Sequence, residues 1–365
     1  MRIWPSLRHR PGERAVPPEL ECLFATIVDL QTHEVIGSER LQAGVYRLVV
    51  KDARGSRDGR RARSLIVKRL GPERALRNRL VLERWLPAVG LEAVAPRLLG
   101  VAAEPDGRRV WHVYGDLGDD SLAAEDPDPA RVASAVEAIA RLHLRFAGHG
   151  LLGECRLWGG DLGIHFFASS VRDAIYALES LRHPGAGLEG EHRALRDQLL
   201  DRLHGLLAEE ADRCREMREW GGPETLLHGD LWRDNVRVVP TPAGPEARLI
   251  DWDHAAVGPV AYDISTLLAR FPLGERLWIL ERYQQCIAAA GWRLPPLEQL
   301  NSLFATAEQA RIVNRLIWPA IAMRQADPEW GAEALTEVAG WLDGVQPVLP
   351  VPRRGSGPVR GGGGQ

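Results

Sequence analysis

The chain has 365 residues, 46 Lys/Arg against 49 Asp/Glu, and a formal net charge of −3, a length that suits one large two-lobed domain or two domains. No apolar run approaches the roughly 20 residues that span a bilayer, and the opening MRIWPSLRHRPGERAVPPEL has charge and proline but no apolar core, so membrane and secretory readings give way to a soluble, cytoplasmic one. Cys22, Cys155, Cys214 and Cys286 lie far apart with no CxxC or Cys/His pairing, which argues against a zinc site or a disulfide framework.

In chain order, residues 1–20 read as a flexible N-terminus by their proline and arginine content. Three β-rich stretches follow: FATIVDL, VYRLVVK and SLIVKRL, the last two joined by the polar turn DARGSRDGRRAR. A helix is expected over about Glu73 to Leu86, with Leu76, Leu80, Leu82, Trp85 and Leu86 as its apolar face. Two more strands lie near APRLLGV and VWHVY. The segment Gly115-Asp116-Leu117-Gly118 then sits where the β-rich half gives way to helices, as a connector between two lobes would. Helices are expected at about 129–147, 166–182, 190–218, 275–290, 297–325 and 329–344. The tail, from residue 348, is expected to be flexible.

The charge is uneven along this order. Residues 1–117 hold 21 Lys/Arg against 14 Asp/Glu, and residues 118–352 hold 22 against 35. The acidic second half suits a cationic small partner better than nucleic acid; a solvated acidic surface is the plain alternative. Only two basic residues are lysines, Lys51 and Lys68, so a lysine in this arginine-rich chain stands out as one needed for its own chemistry.

The strongest signal is Leu227-His228-Gly229-Asp230-Leu231-Trp232-Arg233-Asp234-Asn235-Val236, followed by Leu249-Ile250-Asp251-Trp252-Asp253. Val236–Val239 reads as a strand, 240–247 as a turn and 248–250 as the returning strand. An antiparallel hairpin brings the residue before its first strand beside the residue after its second, so Asn235 and Asp251 meet at its open end. Asp230 lies on the loop entering that end. One amide oxygen and two carboxylates then converge, a donor set for a hard cation such as magnesium with a carboxylate left for proton handling.

This H-x-D-x-x-x-x-N, I-D-W pattern, with Ala261-Tyr262-Asp263 beyond it, resembles the aminoglycoside phosphotransferase and choline kinase-like family. The resemblance implies an α+β, two-lobed protein kinase-like fold, with a small antiparallel β-sheet N-lobe carrying one helix and a larger, mainly helical C-lobe. It implies a nucleotide-binding N-lobe over residues 21–114, a hinge over 115–118 and a catalytic, substrate-binding C-lobe over 119–347. Asp230 becomes the catalytic carboxylate, and Asn235 and Asp251 become ligands of Mg2+. His228 and Asp263 become supports, Asp263 also having the type of an N-cap. Asp253 would assist a second metal or a cationic substrate, or lie at the surface. Lys68, on its apolar strand, would hold the nucleotide phosphates; Gly44 would turn over them, and Tyr114 to Leu117 would receive the adenine of ATP, with GTP equally open.

One departure stands out. The family pairs this lysine with a helical Glu, and the expected positions are Asn78 or Arg79; Glu83, a turn later, is the substitute chosen here. The function implied is ATP-dependent transfer of a phosphoryl group to a hydroxyl of a small, amine-bearing acceptor. A choline or amino-alcohol kinase, and a non-catalytic nucleotide-binding pseudokinase, are the alternatives.

Overall fold

Residues 33–52, 62–122, 128–183, 190–325 and 328–350 are described in a computed structural model of the protein. The stretch FATIVDL, most of the polar link after Asp52, the first twenty residues and residues 351–365 lie outside them. The chain divides into two compact units, one of residues up to Asp161 together with Thr225–Val257, the other of Leu162–Glu224 together with residues from Gly258 onward.

The first unit holds a five-stranded antiparallel sheet in the order β1-β2-β3-β5-β4, built from β1 (His33–Gln42), β2 (Val45–Asp52), β3 (Arg63–Leu70), β4 (Leu98–Ala103) and β5 (Val110–Gly115). Alternation puts Tyr46, Leu48, Val50, Leu65, Val67, Trp111 and Val113 on one face, where they form a buried cluster. Lys68 and His112, paired across β3 and β5, take the opposite face with Tyr114. The edge strand β1 escapes a reading by apolar runs because HEVIGSERLQ is mostly polar and exposed.

Helix α1 (Pro72–Leu80) starts where Gly71-Pro72 allows it, with Pro at a position whose N–H would have no helical partner anyway. It runs through a π turn, Val81–Trp85, to Ala88. Its buried line is Ala75, Asn78, Val81, Trp85 and Leu86, whereas Leu76 is exposed. The expected apolar face is therefore corrected at Leu76, and a polar residue, Asn78, takes a core position.

Helix α2 (Pro129–Phe146) opens on Asp128, whose carboxylate accepts the Ala130 N–H at 2.8 Å. It packs against the hairpin of β7 (Val236–Thr241) and β8 (Gly244–Leu249), where Ser134 Oγ accepts the Ala247 N–H. The hairpin is longer than expected and its turn tighter. Pro240 and Thr241 stay in β7, Pro240 faces Pro245, and Gly244, at φ 118°, begins β8. A two-stranded ribbon tolerates prolines because each strand has an edge free of ladder bonds. The remaining helix of this unit, α3 (Leu152–Trp158), was not expected from the sequence. Strands β6 (Glu224–Leu227) and β9 (Ala256–Pro259) form a separate pair.

The second unit is helical: α4 (Phe166–Ser180), α5 (Gly190–Ala208), α6 (Glu210–Trp220), α7 (Ala261–Leu268), α8 (Arg276–Ala288), α9 (Leu297–Asn314), α10 (Ile317–Gln325) and α11 (Pro328–Asp343). The single helices expected over 190–218 and 297–325 are each two. Helix α9 is central, packing on α4, α6, α7 and α11. Val348 and Leu349 are buried, with Leu349 N–H donating to Asn301 and Val348 C=O accepting from Arg276, so ordered packing extends into residues expected to be flexible. Among the described residues no helix is long and apolar enough to cross a membrane.

Candidate active site

Strand β6 delivers the loop that follows it. Buried His228 donates from Nε2 to the Ile250 carbonyl at 2.8 Å and lies 4.7 Å, centroid to centroid, from the Trp252 ring, bracing the loop against the end of β8. Gly229 has φ 81°, and a Cβ there would sit 1.9 Å from the His254 carbonyl oxygen, so no side chain fits. Asp230 follows, half-buried. One carboxylate oxygen accepts the Trp232 indole N–H at 2.6 Å, and the Asn235 amide donates to the other at 3.3 Å and to the Asp230 carbonyl at 2.8 Å. The carboxylate is thereby held in one orientation.

The open end of the hairpin has the expected geometry. Val236 pairs with Leu249, and Ile250 N–H donates to the Asn235 carbonyl at 2.9 Å, which places Asp251 beside Asn235. Asp251 adopts φ 66°, ψ 63°, and is the one positive-φ residue other than glycine among the described residues. An aspartate held left-handed costs conformational energy that the surroundings must offset, and such strain gathers at functional sites.

Lys68 reaches this end. Its ammonium donates to Asp251 at 2.6 Å and to both carboxylate oxygens of Asp253 at 3.1 Å. Asp253 is buried, and its Oδ1 also accepts the Asn78 amide at 2.6 Å, while Arg77 donates to its backbone carbonyl at 2.7 Å. Burial opposes ionisation of Asp251, but the charge and hydrogen bond of Lys68 outweigh it and hold that carboxyl below the usual range. For Asp253, burial and then the Asp251 charge win, and its carboxyl is raised.

Glu83 is not among the partners of Lys68, which corrects the substitute chosen from the sequence. It is exposed and pairs with Arg79 at 2.5 Å, because the turn from Asn78 to Glu83 carries it off the buried line. The surface reading of Asp253 is corrected as well.

Strands β2, β3 and β5, the turn before β2 and the segment after β5 carry the nucleotide candidates. Gly44, at φ 75°, turns β1 into β2, and its carbonyl accepts the Arg69 N–H at 2.7 Å, so the turn lies against the strand position after Lys68. Tyr114 is buried, with its hydroxyl 2.9 Å from His112 Nδ1; burial drives the phenol well above its ordinary value and the His112 imidazole down to about 4. In the connector, Gly115 and Asp116 N–H donate to Arg97 and Ser64 carbonyls. The Asp116 carboxylate accepts from Ser64, Arg47 and the Gly118 N–H, which pins the half-buried Leu117 between fixed neighbours.

The phosphotransferase enzyme family profile matches residues 47–297, more than two thirds of the chain. The chain belongs to that family. Among solved structures, the Plasmodium vivax ethanolamine kinase is 14% identical, with 88% of this chain and 85% of that one covered and a TM-score of 0.55. Macrolide 2'-phosphotransferase MphH from Brachybacterium faecium is 16% identical over 90% of this chain and 99% of that one, with a TM-score of 0.52. AMP-bound spectinomycin phosphotransferase APH(9)-Ia is 12% identical over 88% and 98%, with a TM-score of 0.52. At such identities the likeness shows the fold, which is protein kinase-like, α+β. No curated protein matches the sequence.

In this small-molecule phosphotransferase, Asp230, Asn235, Asp251, Lys68, Gly44, Tyr114, Leu117, His228 and Asp253 all fall in the first unit. Asp263 falls in the second. It is fully buried in the first turn of α7, and Val260, not Asp263, stands at the N-cap. Among the described residues no three His, Cys, Asp or Glu side chains form a cage for a metal ion. The donor set nonetheless fits magnesium, which takes one or two carboxylates and completes its shell with phosphate oxygens and water. The Asn235 amide nitrogen is spent on Asp230, leaving the amide oxygen as an acceptor, and Asp251 and Asp253 share one ammonium, leaving the cluster short of positive charge.

The sequence reading marked position 78 but passed over Asn78 because it is not acidic, and it missed the donor role of Trp232. Asn78 carried a signal, being polar where a helix of this spacing expects a core residue. Trp232 carried one too, two residues past a carboxylate in a loop.

Proposed function

We propose that the protein is an ATP-dependent kinase that transfers the γ-phosphoryl group to a hydroxyl of a small, amine-bearing acceptor. The observation that carries the reading is the convergence of Lys68, Asp251, Asn235 and Asp230, drawn from a strand and a loop more than 160 residues apart in the sequence, with Asp251 in a strained conformation. Asn235 and Asp251 would hold magnesium, whose charge supplies neutralisation of the phosphate oxygens. Lys68 binds the α- and β-phosphates, the Gly44 turn covers them, and Leu117 offers its backbone to adenine beside Tyr114. Residues 115–118 serve as the connector. Asp230, oriented by Trp232 and Asn235, accepts the proton of the acceptor hydroxyl as the oxygen attacks phosphorus. His228 supports the loop around these groups, and Asp263 is a support within the first turn of α7.

The preference for an amine rests on the acidic balance of residues 118–352 and on the name of the ethanolamine kinase among the structures of like fold. A cytoplasmic setting goes with ATP as the donor. Against the pseudokinase reading, which rested on the missing helical Glu, stands the carboxylate of Asp253 at Lys68.

The test is ADP release from ATP and magnesium across ethanolamine, choline, aminopropanol, aminoglycosides and macrolides, with Asp230→Asn as control. Release that needs an amine-bearing alcohol and is lost in the control supports the reading. No release with any acceptor, together with no binding of ATP, overturns it. Turnover of a neutral acceptor at a rate that ignores salt would remove the amine preference alone.

A further inference from the structure

Two carboxylates meet Lys68, and they are held differently. Asp251 lies at the hairpin end beside Asn235, a third exposed at its side chain, and is the carboxylate that would pass to a cation. Asp253 is 7% exposed, and each of its oxygens already faces an N–H donor: Oδ1 takes Asn78 and Lys68, Oδ2 takes Lys68. The donors on the helix are consecutive, Arg77 on the Asp253 main chain and Asn78 on its side chain, so α1 grips both parts of the residue. Asn78 itself is 2% exposed and also donates to the Arg74 carbonyl at 3.0 Å, which fixes its amide.

We propose that Asp253, locked to α1 by Asn78 and Arg77, is the standing anchor of Lys68, and that Asn78 is its positioning residue. The inference rests on the kinase reading, in which Asp251 is drawn toward a metal. The lysine then keeps one carboxylate, and its ammonium stays extended toward the phosphates instead of following Asp251. The anchor is two residues past the metal ligand rather than on the helix, and the helix contributes a neutral amide. The Lys68-Asp253-Asn78 chain thereby couples the strand, the helix and the metal-ligand segment through one buried carboxylate. Both oxygens of Asp253 already face donors, the Asn78 amide and the Lys68 ammonium, and a second metal would have to compete with both, which favours an anchor over a metal ligand.

The geometry supplies its own test. Lys68 Nζ is 3.1 Å from Asp253 Oδ1, and Asn78 Nδ2 is 2.6 Å from the same atom. A glutamate at 78, one methylene longer, would reach the ammonium if residue 253 made room. The variants are Asp253→Ala, the isosteric Asp253→Asn, and the double variant Asn78→Glu/Asp253→Ala. The probes are ADP with magnesium and adenosine, titrated by calorimetry against the full chain, with thermal unfolding alongside; no acceptor is needed.

Loss of the anchor should weaken ADP binding by about tenfold or more, the worth of one hydrogen bond to a charged group, while adenosine, which has no phosphate for Lys68, binds as before. The double variant should recover most of the ADP affinity lost in Asp253→Ala. Unchanged ADP affinity in Asp253→Asn overturns the proposal, as does a loss that the relocated glutamate leaves in place. Equal weakening of ADP and adenosine also overturns it, since that is the mark of a role confined to packing. If the wild type binds no ADP at all, it is the kinase reading that falls.

Discussion

Both compact units carry exposed ion pairs; what sets the sheet-and-hairpin unit apart is that part-buried carboxylates converge there on one ammonium. In the helical unit many acidic residues sit in pairs one turn apart or across neighbouring helices: Asp212 with Arg215, Glu209 with Arg213, Glu179 with Arg182, Glu210 with Arg172. In the sheet-and-hairpin unit three aspartates make up the candidate site, and each is held by donors from distant or turn-enforced positions. Exposed pairs cost little to form and contribute little, whereas a part-buried carboxylate persists only where the fold supplies its partners. A count of acidic residues therefore says where negative charge is plentiful. The location of the chemistry follows from which carboxylates are desolvated and converge.

The largest expected effect breaks the comparison at its strongest point. Asp230→Asn should lower kcat by about 10²–10⁴-fold, the usual worth of a general base, with ATP affinity nearly unchanged. Near wild-type kcat with an accepted substrate would exclude the role. Asp251→Ala should abolish the dependence of ATP binding on magnesium, with Asn235→Ala a weaker version; calorimetry with and without the ion reads this directly. Lys68→Met should weaken ATP by about ten- to hundredfold, from the loss of charge-assisted contacts, and lower kcat. Lys51→Met, on β2 opposite Glu34, should do neither. If the two lysine variants behave alike, the distinction between convergent and dispersed charge fails. Trp232→Phe keeps the ring and removes the N–H that Asp230 accepts, so kcat should fall by about tenfold with the KM for ATP unmoved. The smallest effect belongs to the helical unit: Asp212→Asn should shift unfolding stability by no more than about 0.5 kcal/mol and leave nucleotide binding as it was.

Much of the site was legible in the chain because its parts are close in sequence. The hairpin follows from two apolar runs around Pro and Gly, and its pairing rule alone sets Asn235 beside Asp251. The helices followed from their apolar spacing, although breaks at Glu209 and near Arg315 were hidden, since both interrupted segments keep helical composition on either side. Strand β1 was not legible, because an exposed polar edge strand lacks the apolar alternation that marks a strand.

By itself, then, the sequence determined strands β2 to β5 and most of the helices, the loop that presents Asp230, the hairpin end that joins Asn235 to Asp251, and Lys68 as the exceptional base. Only the tertiary structure decided what holds Lys68. The choice of Asp253 over Glu83 depends on a contact between residues 185 apart and on the direction in which α1 turns Asn78, 175 residues from its partner. The left-handed backbone of Asp251 was equally out of reach. Local patterns are dictated by neighbours along the chain, where spacing can be counted. Partners brought together from distant segments are selected by burial, which acts only once both faces have met.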